Sequence, residues 1–415
     1  MNNIRQSDGW HCLNRRAAGA VLALAVTLFL AATASPSQAQ TYRKLHAFHG
    51  PDGAVPYGGL LRDPGGNLYG TTEYGGDFGN GTVFRLGKSG KLTVLHSFAG
   101  SPTDGAFPRA TLIRDSAGYL YGTTSEGGTS NLGTVFRVDT SGNESVLHSF
   151  AGGSGDGAYP YARVVRDSAG NLYGTTYSGG SANCTTEFGP GCGTVYRVDA
   201  AGVETVLHAF TGGAEGSNPY GGVLVAATGD LYGTADLGGN LTCPGHGESG
   251  CGTLFKLDPA GTYTVLHTFH GGMDGATPLG DLIRDAAGNL YGTTAVGGSQ
   301  GAIGSGTIYR LGAGGKITVL HRFVGFDGYC PVGSLLRDSA GNLYGTTWAG
   351  GAQDWGVVFK LGKNGTFSVL HEFDGRGEGG GAQSGLVADA GNNLYGTTTD
   401  SAAHNNYGTV FEIIP

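Results

Sequence analysis

Leu68-Tyr69-Gly70-Thr71-Thr72 is the stretch that decides the fold, because the chain keeps returning to it. Its tyrosine recurs at Tyr121, Tyr173, Tyr232, Tyr291, Tyr344 and Tyr395, and only the copy at Leu231–Ala235 changes a residue. The steps between these tyrosines are 52, 52, 59, 59, 53 and 51 residues. A period of that size, sustained along the chain, marks a repeat architecture.

Around the first copy, residues 58–98 contain four short runs rich in β-branched and aromatic residues, each bounded by Gly, Pro, Asp or Asn. They read as four antiparallel strands, A to D. The phrase itself is strand B, Gly81-Thr-Val-Phe-Arg-Leu86 is strand C, and Lys91-Leu-Thr-Val-Leu-His-Ser-Phe98 is strand D. The A–B turns carry Asp first and Gly fourth, as in Asp115-Ser-Ala-Gly118 and Asp338-Ser-Ala-Gly341. Asp bonds a nearby backbone N–H, and Gly accepts the left-handed conformation that closes the hairpin. Asn392 stands in for that Gly in the last copy, and Ala226 replaces the Asp in the fourth.

Four-stranded units repeated seven times predict an all-β, seven-bladed β-propeller. The chain ends support it. The start of the repeat region offers only a D-type strand, Tyr42-Arg-Lys-Leu-His-Ala-Phe48, and the end stops after a C-type strand, Gly408-Thr-Val-Phe-Glu-Ile413. Each supplies what the other lacks, so the N-terminal strand is expected to complete the last blade.

The joint pattern Val-Leu-His-x-Phe, Asp-x-x-Gly-Asn-Leu-Tyr-Gly-Thr-Thr and Gly-Thr-Val-Phe-Arg resembles the GloVer tandem-repeat family of secreted bacterial proteins, over residues 41–415. Its core also resembles the propeller repeat of two-component sensor domains, more weakly. The first resemblance implies an exported protein, held at the surface in some members by C-terminal anchors. This chain departs from that pattern at Phe411-Glu-Ile-Ile-Pro415, which carries no hydrophobic tail or sorting signal, and leaves surface anchoring open. The family implies no activity and no catalytic residues.

Residues 1–39 read as a signal peptide and residues 40–415 as the repeat domain. Arg15 and Arg16 precede an uncharged run, residues 17–32, and Ser37-Gln38-Ala39 is a small-x-small site that predicts cleavage near Ala39. The apolar run is shorter than the roughly 20 residues of a spanning helix, so a secreted, periplasmic or extracellular protein is expected. With three arginines and Asp8 removed, the formal net charge of −8 becomes −10. That balance argues against a nucleic-acid partner, which requires clustered cations.

Seven histidines share one strand-D position: His46, His96, His148, His208, His267, His321 and His371. Strand D is the outermost of a blade, so one metal cannot gather them, and each is expected to bond a backbone or hydroxyl group. The recurrent Arg-Asp at the end of strand A reads as turn chemistry rather than a charged channel. Asp52, Asp104, Asp156, Asp274 and Asp327, in Asp-Gly-x-x-Pro, read as turn residues rather than calcium ligands, which need six to eight oxygens. No metal or cofactor is expected.

Cys184 and Cys192, and Cys243 and Cys251, sit at equal spacing in the two 59-residue units. In an exported chain they read as two local disulfides, with a shared zinc site near His246 as the alternative. Cys330 is left over, buried or a free thiol.

Function tends to reside in loops on a rigid scaffold. The B–C loops and D–A connections share one face, and they vary where the opposite turns do not. Candidate ligand residues there are Tyr74, Phe78, Tyr177, Phe188, Asp236, His246, Trp348, Asp354, Trp355, Asp400, His404 and Tyr407. Aromatic rings beside acids suit sugars, and the same rings equally suit packing of their own loops. The reading is a monomeric binding module for glycan or protein. The alternatives are a glycan-active hydrolase or lyase using acids such as Asp354 and Asp400, which must lie roughly 5 to 9.5 Å apart, or a structural surface protein.

Overall fold

The computed structural model describes residues 40–181, 184–186, 189–243, 249–299, 304–400 and 407–414. Seven four-stranded antiparallel sheets form the seven blades of a propeller. Blade 1 runs Leu61–Arg62, Leu68–Thr72, Thr82–Leu86 and Leu92–Ser97, from strand A to strand D. Blade 7 has Val387–Ala388, Leu394–Thr398 and Thr409–Ile414 from the end of the chain. Its strand D is Thr41–Ala47, paired antiparallel from Thr41 opposite Ile414 to Ala47 opposite Thr409. The ring therefore closes as the sequence implies.

The repeated phrase is built for seams between blades. Its leucine is buried, and its glycine lies under the aromatic of strand C: a Cβ on Gly70 would come within 2.6 Å of the Phe84 ring. Its first threonine crosses to the next blade, where Thr71 donates its hydroxyl to the carbonyl of Ala110 at 3.1 Å. Thr123 and Thr346 do the same, and Thr397 donates to Gly58 across the closing seam at 3.2 Å. Its second threonine bonds the first threonine of strand C, as Thr72 does Thr82 at 2.8 Å. In five of the seven copies the phrase thus repeats one inter-blade joint.

Strand D adds the outer half of the joint. A β-bulge at the Val-Leu-His step leaves Leu95 without a cross-strand partner, so that His96 faces Val83 and Val94 faces Phe84. Phe98 then meets the strand-C ring of the next blade, Phe136, edge-on at 5.1 Å, and Phe48 meets Phe84 in the same way at 5.2 Å. Such pairs contribute about 0.5–1.5 kcal/mol beyond burial.

Contrary to the expectation of a backbone or hydroxyl partner, the histidines bond carboxylates. His46 pairs with Asp52 at 2.8 Å, His96 with Asp104 at 3.0 Å, His267 with Asp274 at 3.1 Å and His321 with Asp327 at 2.9 Å. His371 uses Glu378 at 2.9 Å, and His208 stands 3.8 Å from Glu215. The sequence treats histidine and Asp-Gly turn as separate motifs; the fold makes them partners. The same carboxylates also hold their turns, as Asp104 accepts from Ala99 N at 2.8 Å.

On the opposite face the Arg-Asp pairs divide their work. Asp63 accepts from Asn67 N and from the Tyr69 hydroxyl, so it closes the A–B turn. The arginine stacks on the tyrosine of the preceding blade: Arg166 over Tyr121 at 5.7 Å, Arg337 over Tyr291 at 6.0 Å and Arg62 over Tyr395 at 5.9 Å. Among the described residues no helix is long and apolar enough to cross a membrane. The expected signal peptide lies outside them.

Candidate functional site

Each blade enters strand A through a short segment at the axis, usually opened by proline. The small residue in this segment is forced by convergence of the strands: a Cβ on Gly58 would meet the Ala110 carbonyl oxygen at 2.6 Å, and one on Gly333 the Ser384 oxygen at 2.5 Å. The residue before it lines the axis, and its type changes around the ring. Blades 1 to 4 place Tyr57, Arg109, Tyr161 and Tyr220 there, while blades 5 to 7 place Leu279, Val332 and Gln383. These residues line a cavity of about 840 Å³, including the part open to solvent, on the axis.

A second repeat position feeds the same end of the molecule. The residue directly after the five-residue phrase is buried, and in successive blades it is Glu73, Ser125, Tyr177, Asp236, Ala295, Trp348 and Thr399. Tyr177 and Asp236 line the cavity. Glu73 holds Arg109 through Nη2 at 2.6 Å and Nε at 3.1 Å, with both side chains buried. The guanidinium lies 5.3 Å from the Tyr57 ring and 5.2 Å from the Tyr161 ring. Tyr161 stacks on Tyr220 at 5.3 Å, and Tyr177 stands edge-on to Tyr161 at 5.5 Å. Across the cavity Arg163 Nε reaches Asp281 at 2.6 Å, and Asp281 accepts from Gly222 N at 2.7 Å.

Burial sets the protonation here. It pushes the Tyr161 and Tyr220 hydroxyls up to about 12, so both remain donors at neutral pH. It pushes the Asp236 carboxyl up to about 7, so this acid exchanges its proton near neutrality. Aromatic faces, phenol donors, a fixed guanidinium and one ionisable acid thus converge on one side of an otherwise regular ring.

Of the residues singled out in the sequence, Tyr177 and Asp236 reach this cavity. Trp348 is buried beside Tyr329 and Cys330 in the core, and Cys330 is fully buried and not a free thiol. Trp355 packs on its own blade's glycine-rich connection, where a Cβ on Gly380 would come within 2.6 Å of it. Asp354 adopts φ 59° and caps a turn, its Oδ1 accepting from Gly350 N at 2.9 Å. Asp400 pairs through its backbone with Gly380, and its charge is felt by Tyr57. Tyr74 lies edge-on to Phe107 at 5.4 Å, Tyr407 packs over Gly50, and Phe78 is 61% exposed. Phe188, His246 and His404 lie outside the described residues. Cys184–Cys192 and Cys243–Cys251 are disulfides, which leaves no thiolate set for zinc in these loops.

The axial residues escape the sequence reading because each is a single position in a D–A connection, beside the more conspicuous aromatics of the B–C loops. The available signal was the one varying residue between proline and the small residue, in Pro56-Tyr57-Gly58, Pro108-Arg109-Ala110 and their equivalents.

Fold and cavity together define a closed seven-bladed propeller with a one-sided aromatic axial pocket. The chain belongs to the Gloeobacter/Verrucomicrobia repeat family, whose pattern matches residues 27–188 and again 185–411. No curated protein sequence matches it. Among solved structures it is similar to a streptogramin B lyase, at 12% identity and TM-score 0.58, over 91% of this chain and 99% of that one. It is also similar to the extracellular domain of a proposed hybrid two-component system from B. thetaiotaomicron, at 10% identity and TM-score 0.55, over 90% of this chain but 39% of that one. A third is a proposed 6-phosphogluconolactonase from Bacteroides uniformis, at 16% identity and TM-score 0.53, over 83% of this chain and 90% of that one. At these identities the likeness is one of fold.

Proposed function

We propose that this protein is a secreted binding module that takes a sugar-sized ligand in its axial pocket. The observation that carries the reading is the cluster of Tyr57, Tyr161, Tyr177 and Tyr220 around Arg109 and Asp236, confined to one half of the ring. Phenol rings stack on the C–H faces of a pyranose, while the guanidinium and carboxyl bond its hydroxyls. Two disulfides and the leader-like residues 1–39 support export. The test is calorimetric titration of the mature protein with a panel of mono- and oligosaccharides. Saturable binding that drops at least tenfold in Tyr161→Ala supports the reading; binding unchanged in that variant, or no binding by any sugar, refutes it.

One observation favours catalysis as a second reading. Asp236, poised near neutrality inside the pocket, has the acidity a general acid requires. Product release from the same sugars, abolished in Asp236→Asn while binding persists, would establish a glycan-active enzyme in place of a pure binder.

A further inference from the structure

At the rim of two seams a third ligating group joins the histidine–carboxylate pair. His96 and Asp104 meet Glu144 between blades 1 and 2, and His148 and Asp156 meet Glu204 between blades 2 and 3. In each set, one ligand atom from every residue lies within 4.8 Å of the other two. The sets occupy the same three repeat positions, one blade apart: strand D, the D–A connection, and the first residue of the next strand D. Elsewhere that last position holds an apolar or aromatic residue. Tyr263 lies flat on His208 at 4.1 Å and Phe367 on His321 at 3.8 Å, and the equivalents in blades 1 and 5 are Leu92 and Ile317.

A carboxylate is costly in that seat. Oε1 of Glu144 and Oε1 of Glu204 are shielded from solvent and make no hydrogen bond. Two carboxylates in a half-buried seam require a proton or a cation between them.

We propose that these triads are two divalent-metal sites, each a His–Asp–Glu set that takes one Zn²⁺-class ion and clamps adjacent blades at the rim. One neutral imidazole and two carboxylates carry the N and O donors such ions prefer, and their charge matches a dication. Zinc bonds of about 2.0–2.2 Å place neighbouring ligands roughly 3.3 Å apart at tetrahedral angles. The His–Asp separations of 3.0 and 3.3 Å are already of that size. Asp104 is held in place by Ala99 N on the oxygen that faces His96, at 2.8 Å, and by Gly105 N on the other, at 2.6 Å, the support a ligating carboxylate needs. Two further sets, His46–His49–Asp52 and His267–His270–Asp274, substitute an exposed second histidine and lack the shielded acid.

The test is calorimetric titration of chelator-stripped mature protein with Zn²⁺, repeated with Co²⁺ to read its visible absorption. The variants are Glu144→Leu, Glu204→Ile and their combination, which install residues that blades 1 and 5 already carry in that seat. The expected result is two more ions bound by the native protein than by the double variant, one fewer for each single variant, and a zinc-dependent rise in Tm that the double variant loses. Equal uptake by native protein and double variant, no uptake by either, or a zinc-dependent Tm rise that survives both substitutions would overturn the proposal.

Discussion

The ring of Tyr42 lies flat on the imidazole of His371, 4.6 Å between centroids and 14° between planes. One residue opens the repeat region and the other belongs to blade 6, so the contact spans the last seam. It is the same seat that Tyr263 takes on His208. On its other side the N-terminal strand leads into Phe48, packed edge-on against Phe84 of blade 1. One short strand therefore completes a blade and both of its seams.

Removal of residues 41–49 is expected to abolish cooperative unfolding rather than trim stability, because strand C of blade 7 loses its outer partner and leaves an open edge. Tyr42→Ala alone should cost about 2–3 kcal/mol, less than a fully buried aromatic because this ring is half-buried. Urea unfolding followed by circular dichroism reads both. An unchanged midpoint after the deletion would disprove closure by this strand.

The threonine joints make a sharper contrast. Thr71, Thr123 and Thr397 donate across their seams, whereas the hydroxyls of Thr234 and Thr293, in the same repeat position, are buried without a partner. Thr397→Val should cost about 1–3 kcal/mol, since it leaves the Gly58 carbonyl unbonded. Thr234→Val should be neutral or stabilising, because it removes an unpaired hydroxyl from a strand that favours a β-branched residue. Equal losses at the two positions would show that the cross-seam bond contributes nothing.

Much of this architecture was legible because each joint is written into the repeat. Leu-Tyr-Gly-Thr-Thr encodes a buried leucine, a glycine under an aromatic ring and two threonine bonds, so its period counted the blades. The histidine partner was not legible, because Asp104 lies eight residues from His96 in a segment that reads as an ordinary turn. The pocket was hidden for a related reason. Tyr57, Arg109, Tyr161 and Tyr220 are remote in sequence and meet only because the ring closes, whereas Trp348 and Trp355 drew notice by residue type and serve as packing.

The disulfides Cys184–Cys192 and Cys243–Cys251 are local, each joining residues eight apart in a B–C loop. Closing so short a loop is worth about 2.5 kcal/mol in the chain-entropy account. Reduction is therefore expected to lower Tm by a few degrees and leave the blades folded. Cys184→Ser with Cys192→Ser should reproduce part of that shift. Loss of the whole β spectrum on reduction would mean that these loops hold the ring together.

Asp236 sets the pH dependence of the axial pocket. Burial raises its pKa from the usual carboxylate range, near 4 in the unfolded chain, to about 7. The folded state therefore prefers the protonated acid. Its contribution is fully present below about pH 4 and is lost as pH rises to about 7, with at most roughly 4 kcal/mol at stake. Asp236→Asn, which keeps the shape and cannot ionise, should flatten stability between pH 4 and pH 7 and exceed the native protein at pH 8. If the protonated acid donates to the ligand, sugar affinity in the native protein should fall as pH passes 7, while that of Asp236→Asn stays level. An affinity in the native protein that is flat from pH 5 to 8 would place the ligand away from Asp236, and equal stability slopes in the two proteins would show that this carboxyl ionises as an ordinary surface acid.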